Sequence, residues 1–288
     1  MTGQAALVIL GPQGPRIVAP RPLPLDALLL GKPVAEAALL LPRLFNLCRV
    51  AQATAARLAL GLPVEDADTA AEVVRDHLVK LCVTLRHAFA LPVLAMPADP
   101  LDLFGEARRL PAPEALARWL TGPAPAAELA ARIARDFAFG TACCEVLPAP
   151  AEPLQAGACE NSAAGRQAAQ PLMRAIEASH GRGPLWRYIG MLADLQAAVT
   201  SRLAPARARD GVAVVAAARG DYALRLTQAG GLVTGIFRRT PTDHLLAPGG
   251  ALEQALRRLP ADLRHLAPRV VALHDPCVPV TVEEAQHA

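Results

Sequence analysis

Aromatic residues are scarce: Phe, Trp and Tyr together make up 3% of the 288 residues. No run of Lys and Arg offsets that scarcity, and the formal charge is only +3. A nucleic-acid surface needs a basic patch for phosphates and planar side chains to stack on bases, so nucleic acid is not expected as a partner. No stretch approaches the roughly 18–20 uninterrupted apolar residues of a membrane span; the apolar stretch reaching Leu41 stops at Pro42-Arg43. The opening Met1-Thr-Gly-Gln-Ala-Ala-Leu-Val-Ile-Leu10 has no basic region and only a short apolar part, which does not read as a secretory leader. These absences predict a cytoplasmic protein without membrane insertion. There is no C-x-x-C pair, which excludes a zinc ribbon. Six cysteines without a leader are not a disulfide framework either. Cys82, Cys143, Cys144 and Cys159 lie in no motif and read as small buried apolar residues.

Hydrophobic residues make up 53% of the chain, enough for a large core built from Ala, Leu and Val. Such a composition leans helical. A short hairpin is expected from Leu7–Leu10 and Arg16–Ala19 around Gly11-Pro-Gln-Gly-Pro15. Helical patterning runs from Val34 to Leu60 with a break at Pro42, so Cys48 falls within that helix or at its start. A second helix fits Asp66–Leu91, capped by Asp66 or Asp68. Shorter helices fit Glu114–Leu120 and Ala126–Phe137, and another Leu185–Leu203. Residues 147–165 are rich in Pro, Ala, Gly and Ser and predict a mobile loop or linker. Val212–Ala216, Tyr222–Thr227 and Leu232–Phe237 read as strands, with Ala229-Gly230-Gly231 as a hairpin turn. Gly250–Leu259 is helical again, and Val270–Leu273 reads as a short strand. The fold class is α+β and mostly α-helical, a helical body with a small β element, in one domain over 1–288.

Two cysteines stand in recognisable surroundings. Near the start is Arg43-Leu-Phe-Asn-Leu-Cys48-Arg-Val-Ala-Gln52, and near the end is Asp275-Pro276-Cys277. Between them lie Ala217-Ala218-Arg219-Gly220, Pro241-Thr242 and Gly249-Gly250-Ala-Leu-Glu253-Gln-Ala-Leu256. Two thiolates are soft ligands that suit iron, copper(I) or zinc, although two cysteines in a chain of this size are more often packing residues.

The order of these patches resembles the large subunit of nickel–iron hydrogenases, most densely over 212–277 and 43–60. That subunit carries an early Arg-x-Cys-Gly-x-Cys-x-x-x-His motif, an Ala-Pro-Arg-Gly segment, a Pro-Thr or Pro-Ser pair and a late Asp-Pro-Cys-x-x-Cys-x-x-His motif. Here Phe45 and Asn46 stand for the first cysteine and its glycine, and Gln52 for the histidine. Val280 replaces the second late cysteine and Glu283 the last histidine. The early Arg-Ile-Glu-Gly segment is Arg16-Ile17-Val18-Ala19, without its glutamate. The resemblance therefore implies a shortened large-subunit-like fold in which half of the nickel thiolates are gone. Neither nickel nor hydrogen turnover is expected. It leaves Cys48 and Cys277 as metal ligands, with Arg219 and Thr242 placed to donate hydrogen bonds to iron-bound diatomic ligands.

In these departures the chain is similar to the HupK-type hydrogenase expression/formation proteins, degenerate relatives of that subunit. The resemblance implies a non-enzymatic scaffold that transiently carries iron with cyanide and carbon monoxide ligands. The implied partners are a HypC-like maturation chaperone, the hydrogenase large subunit precursor and the cofactor-assembly proteins. One alternative is a metal-free docking module that binds the chaperone or the precursor. Another is an unrelated enzyme with Cys277 as nucleophile and His274 or His244 as base. His77, His87, His265 and His287 read as surface or satisfied groups, and Arg238-Arg239 as a solvated strand end.

Overall fold

A computed structural model describes residues 5–64 and 68–285. The expected N-terminal hairpin is present. β1 (Ala6–Gly11) runs antiparallel to β2 (Gly14–Val18), with Leu7 opposite Val18. Strand alternation sends Ala6, Val8 and Leu10 inward, where they join the larger of the cores.

Three of the four strands of the second sheet were expected. β3 (Arg207–Arg209), β4 (Val212–Ala217), β5 (Gly220–Ala229) and β6 (Leu232–Arg239) pair antiparallel in that order. β3 carries no apolar alternation and is exposed throughout, so sequence pattern has nothing to register there. Ala217 faces Gly220, which leaves Ala218 and Arg219 as the whole of the β4–β5 turn.

The helical region after Val34 breaks as Pro42 dictates. Helix Val34–Leu40 passes into a 3-10 turn over Leu41–Arg43, and helix Arg49–Ala59 starts after a short loop. Small residues on Arg49–Ala59, among them Ala51 and Ala55, let it lie close against Val215, Tyr222 and Leu224 of the sheet.

The larger core surrounds helix Pro184–Val199, buried along most of its length, as expected of an apolar helix at the centre of a body. Around it pack helices Thr69–Val79, Pro125–Asp136, Ala163–Gln167, Pro171–His180 and Ala267–His274. Asp68 caps Thr69–Val79 by accepting from the Ala71 amide at 2.8 Å. The alternative cap Asp66 and the histidine at 287 lie outside the described residues. Past Val79 the helix widens into a π turn, Lys80–Thr84, before Leu85–Ala88.

The strand expected at Val270–Leu273 is instead part of helix Ala267–His274. Ala267, Val270, Val271 and His274 are all buried, which is helical spacing, and two adjacent valines do not outweigh that packing. The strand comes later: β7 (Val280–Glu284) lies parallel to β1 and extends the first sheet in the order β2-β1-β7. Residues 147–158 are irregular. From there Cys159 and Glu160 are buried, and Ser162 caps helix Ala163–Gln167 through the Gly165 amide at 3.0 Å. No helix among the described residues is long and apolar enough to cross a membrane.

Candidate functional site

Cys48 is the N-cap residue of helix Arg49–Ala59 and sits in left-handed backbone, φ 53° and ψ 40°. Its side chain does not cap the helix. The Glu72 carboxylate does so from the next helix, accepting from the Val50 amide at 2.8 Å and the Ala51 amide at 2.9 Å. These amides would otherwise be orphan donors, so the Cys48 sulfur is free for other contacts. Gln52, where the resemblance places a histidine, donates through Nε2 to the Leu47 carbonyl at 2.9 Å and pins the loop that presents Cys48.

Cys277 arrives by a different route. Helix Ala267–His274 ends at Asp275 in left-handed backbone, φ 49° and ψ 57°. Pro276 follows, and the Cys277 amide donates to Thr242 Oγ1 at 2.8 Å. Thr242 occupies the first turn of helix Pro241–Leu245. A reciprocal capping box between Thr240 and Asp243 fixes that turn.

Arg219 projects from the β4–β5 turn between the two cysteines. Its Nη1 lies 3.8 Å from Cys48 Sγ and 3.5 Å from Asp76 Oδ2, and its Nε lies 3.3 Å from Asp275 Oδ2. Lys80 Nζ holds the other Asp275 oxygen at 2.7 Å. Arg219, Asp76, Lys80 and Asp275 side chains are each only 11% exposed. None of the contacts of Arg219 is short, and its buried Nε has no well-aligned acceptor. Cys48, Cys277, Arg219 and Thr242, four residues separated by up to most of the chain, thus share one site.

The electrostatics follow from burial. Removing the Cys48 thiol from water pushes its pKa up to about 12; the neighbouring Cys277 and the Glu72 and Asp76 carboxylates push the same way, and Arg219 opposes them. Burial also raises Cys277, offset in part by Arg219 and by a hydrogen bond from Thr242. Burial works to raise Asp275, but Arg219 and Lys80 hold its carboxyl below the usual carboxylate range.

Glu72, Asp76 and Lys80 were not singled out in the sequence, and Asp275 entered only as part of the Asp275-Pro276-Cys277 patch. The signal was there: Glu72, Asp76 and Lys80 recur every four residues and so share one face of a helix. Arg238 is a correction. It is not a solvated strand end: its guanidinium lies over the Phe45 ring, 4.5 Å from the centroid, and its charge reaches Cys277. Phe45 therefore fills its position with a stacked aromatic. Val280 begins β7, and Glu283 is exposed on that strand.

Among the described residues, no three His, Cys, Asp or Glu side chains are grouped to hold a metal ion. The protein offers two thiols, one guanidinium and one hydroxyl. Beside them is a cavity of about 10 Å³ lined by Arg219, Thr242, Asp275, His274, Glu160 and Arg187, room for about one water molecule.

The two histidines considered as bases are each tied through Nδ1 to a backbone carbonyl, with Nε2 buried and without a hydrogen-bond partner. His274 Nδ1 donates to the Val270 carbonyl at 2.8 Å, and burial pushes its pKa down to about 3. His244 Nδ1 donates to the Gly157 carbonyl at 2.9 Å. His77 is satisfied by Asp194, while His87 and His265 are exposed. Cys82, Cys143, Cys144 and Cys159 are buried, as expected.

No protein-family profile matches the sequence. The chain is 46% identical over 293 residues to the hydrogenase expression/formation protein HupK of Rhodobacter capsulatus, covering 98% of both chains. Among solved structures it resembles the Ni-Fe-Se hydrogenase of D. vulgaris Hildenborough, with a TM-score of 0.59 and 12% identity over 92% of this chain and 93% of that one. The [NiFeSe]-hydrogenase of Dm. baculatum is similar, with a TM-score of 0.54 and 11% identity over 91% and 93%. At such identities the likeness shows the fold, which is that of a nickel–iron hydrogenase large subunit.

Proposed function

The chain belongs to the family of the hydrogenase expression/formation protein HupK, and on that premise we propose that it is a maturation scaffold that transiently holds an iron–cyanide–carbonyl unit for delivery to the hydrogenase large subunit. Iron is cargo in this reading, not a resident cofactor. The observation that carries it is the meeting of Cys48, Cys277, Arg219 and Thr242 in one site, with a guanidinium N–H left over.

The donor set fits such a guest. Two thiolates are enough only for a metal that brings its own ligands, because no third protein ligand is grouped with them. Bound cyanide is an acceptor, and a buried acceptor needs donors. Arg219 Nε–H and the Thr242 hydroxyl supply them. Phe45 and Val280 supply no ligand for a second metal, so nickel binding and hydrogen turnover are not part of this reading. Loading requires both thiols to lose protons. Their raised pKa values disfavour bare cations and favour a guest that binds strongly enough to displace protons. The partners in this reading are a HypC-like chaperone, the large subunit precursor and the cofactor-assembly proteins, in the cytoplasm.

The absence of a grouped third ligand also suits a second reading, a metal-free docking module for the chaperone or the precursor. Iron content and hydrogenase maturation in cells carrying Cys48→Ser or Cys277→Ser separate the two. The scaffold reading expects both variants to lose iron and maturation while still binding their partners. Normal maturation in both would overturn it in favour of docking.

A further inference from the structure

Arg219 is one of the two residues in the β4–β5 turn, and its contacts on the site side are too long to fix it. Its placement comes from behind. Arg166 Nη2 donates to the Ala217 carbonyl at 2.8 Å, just before the turn, and Nη1 donates to Asp221 Oδ1 at 3.1 Å, just after it. Asn161 grips the backbone of Asp221 both ways: Nδ2 donates to its carbonyl at 2.9 Å, and Oδ1 accepts its amide at 2.8 Å.

Arg166 is itself immobilised. Nε and Nη2 donate to the two oxygens of the fully buried Asp194 at 3.0 and 2.7 Å. Gln167 Nε2 and His77 Nε2 complete that carboxylate, each at 2.9 Å. Burial works to neutralise Asp194, but Arg166 and His77 hold it ionised. His77 stands next to Asp76, the residue that faces Arg219. The contacts close a ring from Arg219 to Asp76, along one helix to His77, through Asp194 to Arg166, and back to the turn.

We propose that Arg166 is a positioning residue that acts through the β4–β5 turn to hold Arg219 over the two-cysteine site, with Asn161 as the second clamp. Its consequence for cargo rests on the scaffold reading above; the placement of Arg219 does not.

The test is side-chain NMR of the metal-free full chain with ¹⁵N-labelled arginine, reading hydrogen exchange at Arg219 Nε–H. Arg219→Gln assigns the signal. Arg86 is also buried, ion-paired with Glu128 at 2.6 Å away from the 160–167 segment, and serves as an internal control. In Arg166→Gln and in Asn161→Ala, exchange at Arg219 rises by about tenfold or more, while Arg86 is unchanged. Unchanged exchange at Arg219 in the folded variants overturns the proposal, as does equal acceleration at Arg86, which would mean general loosening. Should Arg166→Gln not fold, Asn161→Ala decides by the same criterion. In protein purified with its cargo, both variants lose most of the cyanide and carbonyl infrared intensity. Bands absent from the parent protein would count against the scaffold reading and leave the exchange result standing.

Discussion

At the scale of single residues, the site is a balance between burial and a few charges. Arg219 faces both thiols and the Asp76 and Asp275 carboxylates. Arg219→Gln leaves Asp275 with Lys80 and Asp76 with the largely exposed Arg75; it is expected to cost about 1–3 kcal/mol in chemical denaturation and, on the scaffold reading, to abolish iron retention. Two titrations give opposite pH dependences. His274 is held neutral in the fold, with a pKa of about 3 against 6.5 for the free group. The unfolded chain therefore binds more protons between those values, and stability falls on acidification. Between pH 7 and pH 5 the loss from this group is about 2 kcal/mol, and His274→Gln should remove it in paired melts. Cys48 works at the alkaline end. Its pKa of about 12 lies above the 9.0 of a free thiol. The folded chain binds more protons in that window, so stability is intact below pH 9 and declines above it. Cys48→Ser should flatten that decline.

At the scale of elements, one close approach sets where Arg219 stands. A Cβ on Gly220, at φ 137°, would collide with the backbone carbonyl of Asn161. Gly220→Ala is expected to cost about 2–4 kcal/mol and to push the Arg219 turn out of place, seen as lost iron in whatever protein still folds. The strands on either side of this turn were legible because β4 is a short continuous apolar run and β5 leads into the Gly230-Gly231 turn. The Arg49–Ala59 and Thr69–Val79 helices were legible from their apolar faces. The Val270–Leu273 segment was misread because a short apolar run has no decisive period, and tertiary burial settled it as helix. β3 and β7 were not legible, since β3 is fully exposed and β7 depends on a partner strand at the opposite end of the sequence. The four central site residues could be found only by family resemblance. Asp76 and Lys80 join them through the approach of a helix to a turn, which no local pattern encodes.

At the scale of the whole molecule, the first and last strands of the described residues lie side by side. β7 runs beside β1, so the segment just past Cys277 is tied to the N-terminal hairpin. Ending the chain after Pro279 would strip away Val280 and Val282, which are partly buried against the larger core, and free the Cys277 segment. The expected cost is about 2–4 kcal/mol in thermal or urea unfolding, with iron lost as well. The fold of a hydrogenase large subunit is thus kept, while a stacked Phe45 and a strand at Val280 stand where the sequence resemblance places its other thiolates. The most direct test of the central claim is infrared spectroscopy on the protein purified without oxygen from cells that express the hydrogenase assembly machinery. The account predicts cyanide and carbonyl stretches that accompany bound iron and vanish in both Cys48→Ser and Cys277→Ser. Iron-free protein with no such bands, still bound to a small maturation chaperone, would contradict it.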